Sequence, residues 1–160
     1  MSITPFRTLQ DARQQAATHR LREKAVCFVT RGQDLLVMDH VPAGSAGVQL
    51  PAGGVEPGET PGQAATRELW EETGLTLPAP TYLTSYLWEA QLPDRFTRQV
   101  CHAFLFRAPP GTPDTWERDA DGEHFAFRWM PALAPQLDWE MLDWEMDAAL
   151  PWAHAHLNPV

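Results

Sequence analysis

The sequence predicts an α+β domain, and three features carry that expectation. Strand-like periodicity sets in at Lys24, a sharply delimited helix interrupts it from about Pro61 to Thr73, and aromatic-rich strand candidates follow before a last helical stretch. With 160 residues, the chain fits one domain that can bury a core without disulfides or a structural metal. Hydrophobic residues make up 44% and charged residues 21%, close to globular averages, which excludes disorder or a fibrous repeat for the whole chain.

The elements follow in order. Residues 1–24 are polar with a thin apolar stripe and read as an arm or helix packing on the domain, which occupies residues 25–160. Ala25 to Thr30 and Leu35 to Asp39 flank the turn Arg31-Gly32-Gln33-Asp34 and suggest a hairpin. Val48-Gln49-Leu50 leads into Pro51-Ala52-Gly53-Gly54, and Glu56-Pro57-Gly58-Glu59 has the central Pro-Gly pair of a type II turn. Thr60 is placed to cap the helix, with Pro61 at its first position, Gln63 completing a capping box and Gly74 marking its end.

Beyond the helix, Thr81 to Leu92 and Gln99 to Arg107 read as strands joined through Pro93-Asp94-Arg95-Phe96. The Pro- and Gly-rich stretch from Ala108 to Asp121 reads as a loop, and His124 to Met130 as another strand. Leu137, Met141, Trp144 and Ala148 fit a final C-terminal helix. Its stripe, with Trp139 and Trp152, suits either a cover for the sheet or a homodimer contact.

With 12 basic and 21 acidic residues the net charge is −9, which argues against binding a nucleic acid polymer. A small polyanion remains compatible, because a bound divalent cation can reverse the local sign. Cys27 and Cys101 lie in apolar stretches outside any metal-ligand spacing and read as free buried thiols. No segment has the length and apolarity of a membrane span or the form of a leader, so a cytoplasmic location with no membrane partner is expected.

At about 100° per residue, Glu68, Glu71 and Glu72 share an arc of roughly 100° on the helix. Ala65, Leu69 and Thr73 point largely elsewhere, so a core-facing side and an open acidic side are expected, with small Ala64 leaving room beside the acids. Clustered glutamates at the negative end of a helix dipole call for compensation, and a hard cation such as Mg²⁺ or Mn²⁺ is the natural one. Arg67 stands ready to tether a neighbouring carboxylate such as Glu59.

Gly53, five residues, Glu59, seven residues, then Arg67-Glu68-Leu69-Trp70-Glu71-Glu72-Thr73-Gly74-Leu75 resembles, at every fixed position, the 23-residue box of the Nudix hydrolase family. That resemblance implies a Nudix fold, a mixed sheet sandwiched between helices (α/β/α), over residues 25–160. It also implies Mg²⁺- or Mn²⁺-dependent hydrolysis of a diphosphate linkage in a small nucleotide derivative. By the same resemblance, Glu68, Glu71 and Glu72 are metal ligands with the carbonyl of Ala52, Arg67 and Glu59 form a supporting pair, and Glu71 or a later acid is the general base. Glu123 leads those later acids, with Glu117, Asp119 and Asp121 as alternatives.

Trp88, Phe96 and Phe104 suit the core or a base stack, and Arg95 and Arg98 a solvated turn or a phosphate contact, while His40, His102 and His124 receive no role. Two rivals stand beside hydrolysis. One is a nucleotide sensor, which the full set of box acids disfavours. The other is a prenyl-diphosphate isomerase, which would need Cys101 in the pocket.

Overall fold

The computed structural model describes residues 2–42 and 47–132. Its elements are β1 (Ser2–Pro5), α1 (Leu9–His19), β2 (Arg22–Arg31), β3 (Asp34–His40), β4 (Ala52–Gly54), α2 (Pro61–Thr73), β5 (Thr81–Gln91), β6 (Phe96–Arg107), β7 (Trp116–Ala120) and β8 (Glu123–Pro131). The strands form one mixed sheet in the order β1-β5-β6-β2-β3-β8-β7, with β4 added against β2. Among the described strands, β2 and β6 run parallel and the remaining pairs are antiparallel. The α+β class and the mixed sheet expected from the sequence are the architecture observed.

The alternation of β2 sorts the core. Ala25, Cys27 and Val29 pack with Ala64, Ala65 and Leu69 of α2, whereas Val26 and Phe28 join Tyr86, Trp88, Cys101 and Leu105 on the other face. Helix α1 adds Ala12 and Ala16 against Val100, on the α2 side of the sheet. Phe104 and Trp88 are core residues, and Phe96 is exposed. Both cysteines are buried and free. Among the described residues no helix is long and apolar enough to cross a membrane.

One departure from regular pairing shapes the site. β2 and β3 pair only at their turn, Thr30 with Leu35 and Arg31 with Asp34, and then diverge. The segment leading into β4 fills the gap: Gln49 bridges Met38 of β3, and Cys27 N donates to Pro51 O at 2.9 Å.

Helix α2 begins and ends as its sequence dictates. Thr60 Oγ1 accepts from Gln63 N at 3.1 Å, and Gln63 Oε1 accepts from Thr60 N at 2.9 Å. Gly58, at φ +80°, takes the left-handed position of the preceding turn, and Gly74, at φ +77°, closes the helix with its N–H on Trp70 O.

Three expectations need correction. Residues 116–120 form a strand, β7, rather than part of a loop, and Glu123 is the first residue of β8. Asp121 and Gly122, both at positive φ, make the two-residue turn between them, the conformation in which Asp-Gly pairs excel. Near the N-terminus, Ser2–Pro5 is a strand paired with β5. The C-terminal helix expected around Leu137 to Ala148, and the homodimer contact attached to it, lie outside the described residues.

The capping box should be measurable in solution. Thr60→Ala removes the hydroxyl acceptor and should lower unfolding free energy by about 1 kcal/mol in urea titration. An unchanged midpoint would mean that the cap adds nothing to global stability.

Candidate active site

Arg67 is the hub of the box. Its Nε and Nη2 donate to the two carboxylate oxygens of Glu59 at 2.8 and 2.9 Å, Nη2 also reaches Gly54 O at 2.9 Å, and Nη1 reaches Glu68 Oε1 at 2.7 Å and Glu71 Oε2 at 3.2 Å. One guanidinium therefore ties the turn, strand β4 and helix α2 together, using its planar fork as lysine could not. The bidentate bonds hold the Glu59 carboxyl below the usual carboxylate range and raise the guanidinium further above its own.

Glu68 and Glu72 are buried, at 8% and 5% exposure, while Trp70 is 54% exposed. Contrary to the open acidic face expected from helical periodicity, Glu68 and Glu72 lie on the buried side of the helix. At 100° per residue the buried positions from Ala64 to Thr73 span about 180°, and Glu72 lies near their middle. The physical reason is a hydrogen bond. Ala52 N donates to Glu72 Oε1 at 2.8 Å, so a carboxylate can occupy the helix–sheet junction.

The register of β4 makes that bond available. Pro51 and Val55 bond to β2, through Cys27 N to Pro51 O and Val55 N to Glu23 O, and in an antiparallel pair the residues between alternate. Ala52 and Gly54 therefore turn their backbone groups away from β2, where Ala52 N meets Glu72 and Gly54 O meets Arg67. Gly53 makes the approach possible: a Cβ there would lie 2.0 Å from the Glu68 carboxyl carbon.

Burial pushes both acids up. The Glu72 carboxyl is raised to about 8, chiefly by desolvation, with the Ala52 N–H opposing and the charges of Glu68 and Asp121 adding. Glu68 is raised for the same leading reason, opposed by Arg67. A pocket of about 310 Å³ opens beside them, lined by Glu72, Asp121, Glu123, His40, Arg22, Lys24, Gln49 and the backbone of Ala52 and Gly53.

Of the later acids, Glu123 and Asp121 line this pocket. Glu123 Oε2 is held by His40 Nε2 at 2.9 Å, and His40 rests edge-on against Phe125. Glu117 and Asp119 are turned instead to His124, whose imidazole they flank at 2.8 and 2.5 Å and whose pKa they raise, Asp119 foremost. Cys101 is fully buried and does not line the pocket, so the isomerase reading gains no support. Arg98 pairs with Glu89 and Arg95 with Asp94, away from the site.

Sequence reasoning missed two contributions. His40, Arg22 and Lys24 line the pocket, and only the separation of β2 from β3 brings them there. β7 also finishes helix α2: Trp116 Nε1 donates to Thr73 O at 2.9 Å and Arg118 Nε to Glu71 O at 3.0 Å. These bonds satisfy carbonyls that the last helical turn leaves open. The Asp121-Gly122 pair was the signal in the sequence for that hairpin.

The donor set suits a hard divalent cation: glutamate oxygens and a backbone carbonyl, with carboxylates buried beyond what the single Arg67 cation balances. Among the described residues no three His, Cys, Asp or Glu side chains converge as a ready-made metal cage. Mg²⁺ characteristically takes one or two carboxylates and completes its shell with water and substrate phosphates, so an open set of this kind fits it.

A family model described as NUDIX domain matches residues 20–152. Phosphatase NudJ of Escherichia coli (strain K12) is 38% identical over 66% of this chain and 65% of its own. An RNA pyrophosphohydrolase of Roseobacter denitrificans is 36% identical over 52% of this chain and 59% of its own. Among solved structures, a MutT NUDIX hydrolase from Burkholderia pseudomallei superposes with TM-score 0.61 at 25% identity, covering 82% of this chain and 96% of that one. The matches to the curated relatives span from 25% to 65% of those proteins' lengths.

The buried Glu72 carries a pH signature. In the unfolded chain its carboxyl ionises near 4.5, and in the metal-free fold near 8. Between these values the folded state keeps the proton that the unfolded state has lost, so stability should fall as pH rises through this window and level off above it. Glu72→Gln should reduce this slope, leaving the part that Glu68 contributes, and raise metal-free stability at pH 8 and above by up to about 5 kcal/mol. Thermal unfolding of both proteins in chelator from pH 5 to 9 reads this, and parallel curves would refute the cost of burying Glu72.

Proposed function

The chain belongs to the NUDIX domain family, and from that footing we propose that it is a Mg²⁺-dependent pyrophosphohydrolase, with Mn²⁺ also suited, acting on a diphosphate linkage in a nucleotide or nucleoside diphosphate derivative. The observation that carries this reading is the buried pair Glu68 and Glu72: Glu68 packs against Gly53 and is clamped by Arg67, and Glu72 is bonded to Ala52 N and lines a pocket with Glu123 and Asp121. Residues 25–160 act as one catalytic domain, on which residues 1–24 pack through Ala12 and Ala16 against Val100 and whose sheet they extend with β1 and the first residues of β2. The net charge of −9 favours a small substrate over a nucleic acid polymer.

In this reading Glu68, Glu72 and Glu71, with the carbonyl of Ala52, hold the cation. When bound, the cation neutralises diphosphate oxygens and makes a neighbouring water more acidic. Arg67 and Glu59 keep the ligand oxygens in place without touching substrate. Glu123 accepts the proton of the attacking water as its oxygen bonds to phosphorus and the bridging P–O bond breaks, releasing two phosphate products. His40, by holding one Glu123 oxygen, fixes where the other is presented.

Hydrolysis of a panel of nucleoside diphosphate derivatives and nucleoside triphosphates with Mg²⁺ in ¹⁸O-labelled water, read by mass spectrometry, tests the activity and names the phosphorus attacked. Glu72→Gln should lower kcat at least about 10³-fold, the scale of losing a cation ligand at a reacting centre. Glu123→Gln should lower kcat by about 10² to 10⁴, the scale of losing a positioned general base. A wild-type rate in Glu123→Gln would transfer the base role to Glu71 or Glu68.

A further inference from the structure

We infer that Arg22 and Lys24 form an anion subsite for a phosphate beyond the cleaved linkage, so that the preferred substrate is a nucleoside triphosphate or longer polyphosphate rather than a nucleoside diphosphate joined to an uncharged group. The inference rests on the hydrolase reading above and specifies its substrate class.

Arg22 and Lys24 stand two apart on β2 and so share one face, the row that continues into Val26 and Phe28. Beyond the apolar core that row turns basic where it reaches the pocket, which both side chains line together with Glu72. Glu23, between them, points to the other face, where it is held by Arg13 at 3.0 Å and His102 at 2.9 Å and neutralises neither.

Among the described residues, several cations are held by carboxylates: Arg13 by Glu23, Arg31 by Asp114, Arg67 by Glu59, Arg95 by Asp94, Arg98 by Glu89 and Arg128 by Asp39. Among the described residues neither Arg22 nor Lys24 has one within ion-pair distance. Two unpaired like charges, about 7 Å apart along a strand, repel each other in the free protein and are satisfied by an anion between them.

The backbone leaves space for that role. Gly54 pairs with Lys24 across the strands, and a Cβ there would lie 3.3 Å from Arg22 Nη2. The absent side chain lets the guanidinium lie across β4 at the pocket mouth, with its fork available for two phosphate oxygens. Glu72 enters the same pocket from the α2 side. A chain of phosphates reaching from Glu72 to the cations therefore runs across the pocket, along the wall that Ala52 and Gly53 form.

The experiment compares ATP with ADP-glucose as substrates, and titrates inorganic tripolyphosphate calorimetrically in Mg²⁺ as a readout independent of turnover. Wild type should favour ATP in kcat/KM. Arg22→Gln and Lys24→Gln should each lower the ATP to ADP-glucose ratio of kcat/KM about 10-fold or more, through KM, and weaken tripolyphosphate binding by a similar factor. Arg7→Gln, which removes an exposed charge elsewhere, should bind tripolyphosphate as wild type does. A wild-type preference for ADP-glucose, an equal loss on both substrates, or unaltered tripolyphosphate binding in the two variants would overturn the subsite. Were wild type inert towards every diphosphate, the hydrolase reading would fall and the calorimetric comparison would still decide whether the subsite exists.

Discussion

The guanidinium of Arg67 is the contact on which the rest of the site depends. Four glutamates crowd one short stretch of chain, and without a shared cation at their centre the turn, strand β4 and helix α2 would repel one another. Glu59 accepts two of its bonds, while Glu68, Glu71 and the carbonyl of Gly54 accept the others. Because Glu59 is also fixed by Glu56 N at 3.0 Å, the clamp is anchored in the turn that precedes the helix. The net result is one positive charge against several negative ones in a half-buried place, a deficit that a divalent cation is suited to fill.

Backbone geometry sets where those charges sit. Gly53 admits the Glu68 carboxyl against the strand, Ala52 N donates to Glu72, and where β2 and β3 diverge a pocket opens that Glu72 lines. The acids therefore occupy a junction between layers rather than a solvated helix face. That placement is costly for a metal-free carboxylate, and it is also what gives the carboxylates strong fields in a region of low dielectric.

How much of this was legible in the sequence differs from element to element. Helix α2 was readable to its end residues because Thr60, Pro61, Gln63 and Gly74 act locally, through hydrogen bonds within a few positions. The face on which its acids lie was misjudged, since polarity argues for solvent and the bond from Ala52, 20 residues earlier, is invisible to helical periodicity. β7 was hidden by the prolines and glycines before it, although Asp121-Gly122 announced its turn. The pocket cations could not be read at all, because alternation places Arg22 and Lys24 on a common face without saying that a gap in the sheet lies beneath them.

The hairpin of β7 and β8 joins two halves of the site that are far apart in sequence. Trp116 and Arg118 are bonded to the last carbonyls of α2, and the same hairpin carries Asp121 and Glu123 at its tip. The proposed proton acceptor, Glu123, and the glutamates proposed as cation ligands thus ride on one bracket. Their spacing is inherited from strand register, and evolution could vary the stretch between Ala108 and Thr115 in length without altering the reach of Glu123 toward α2.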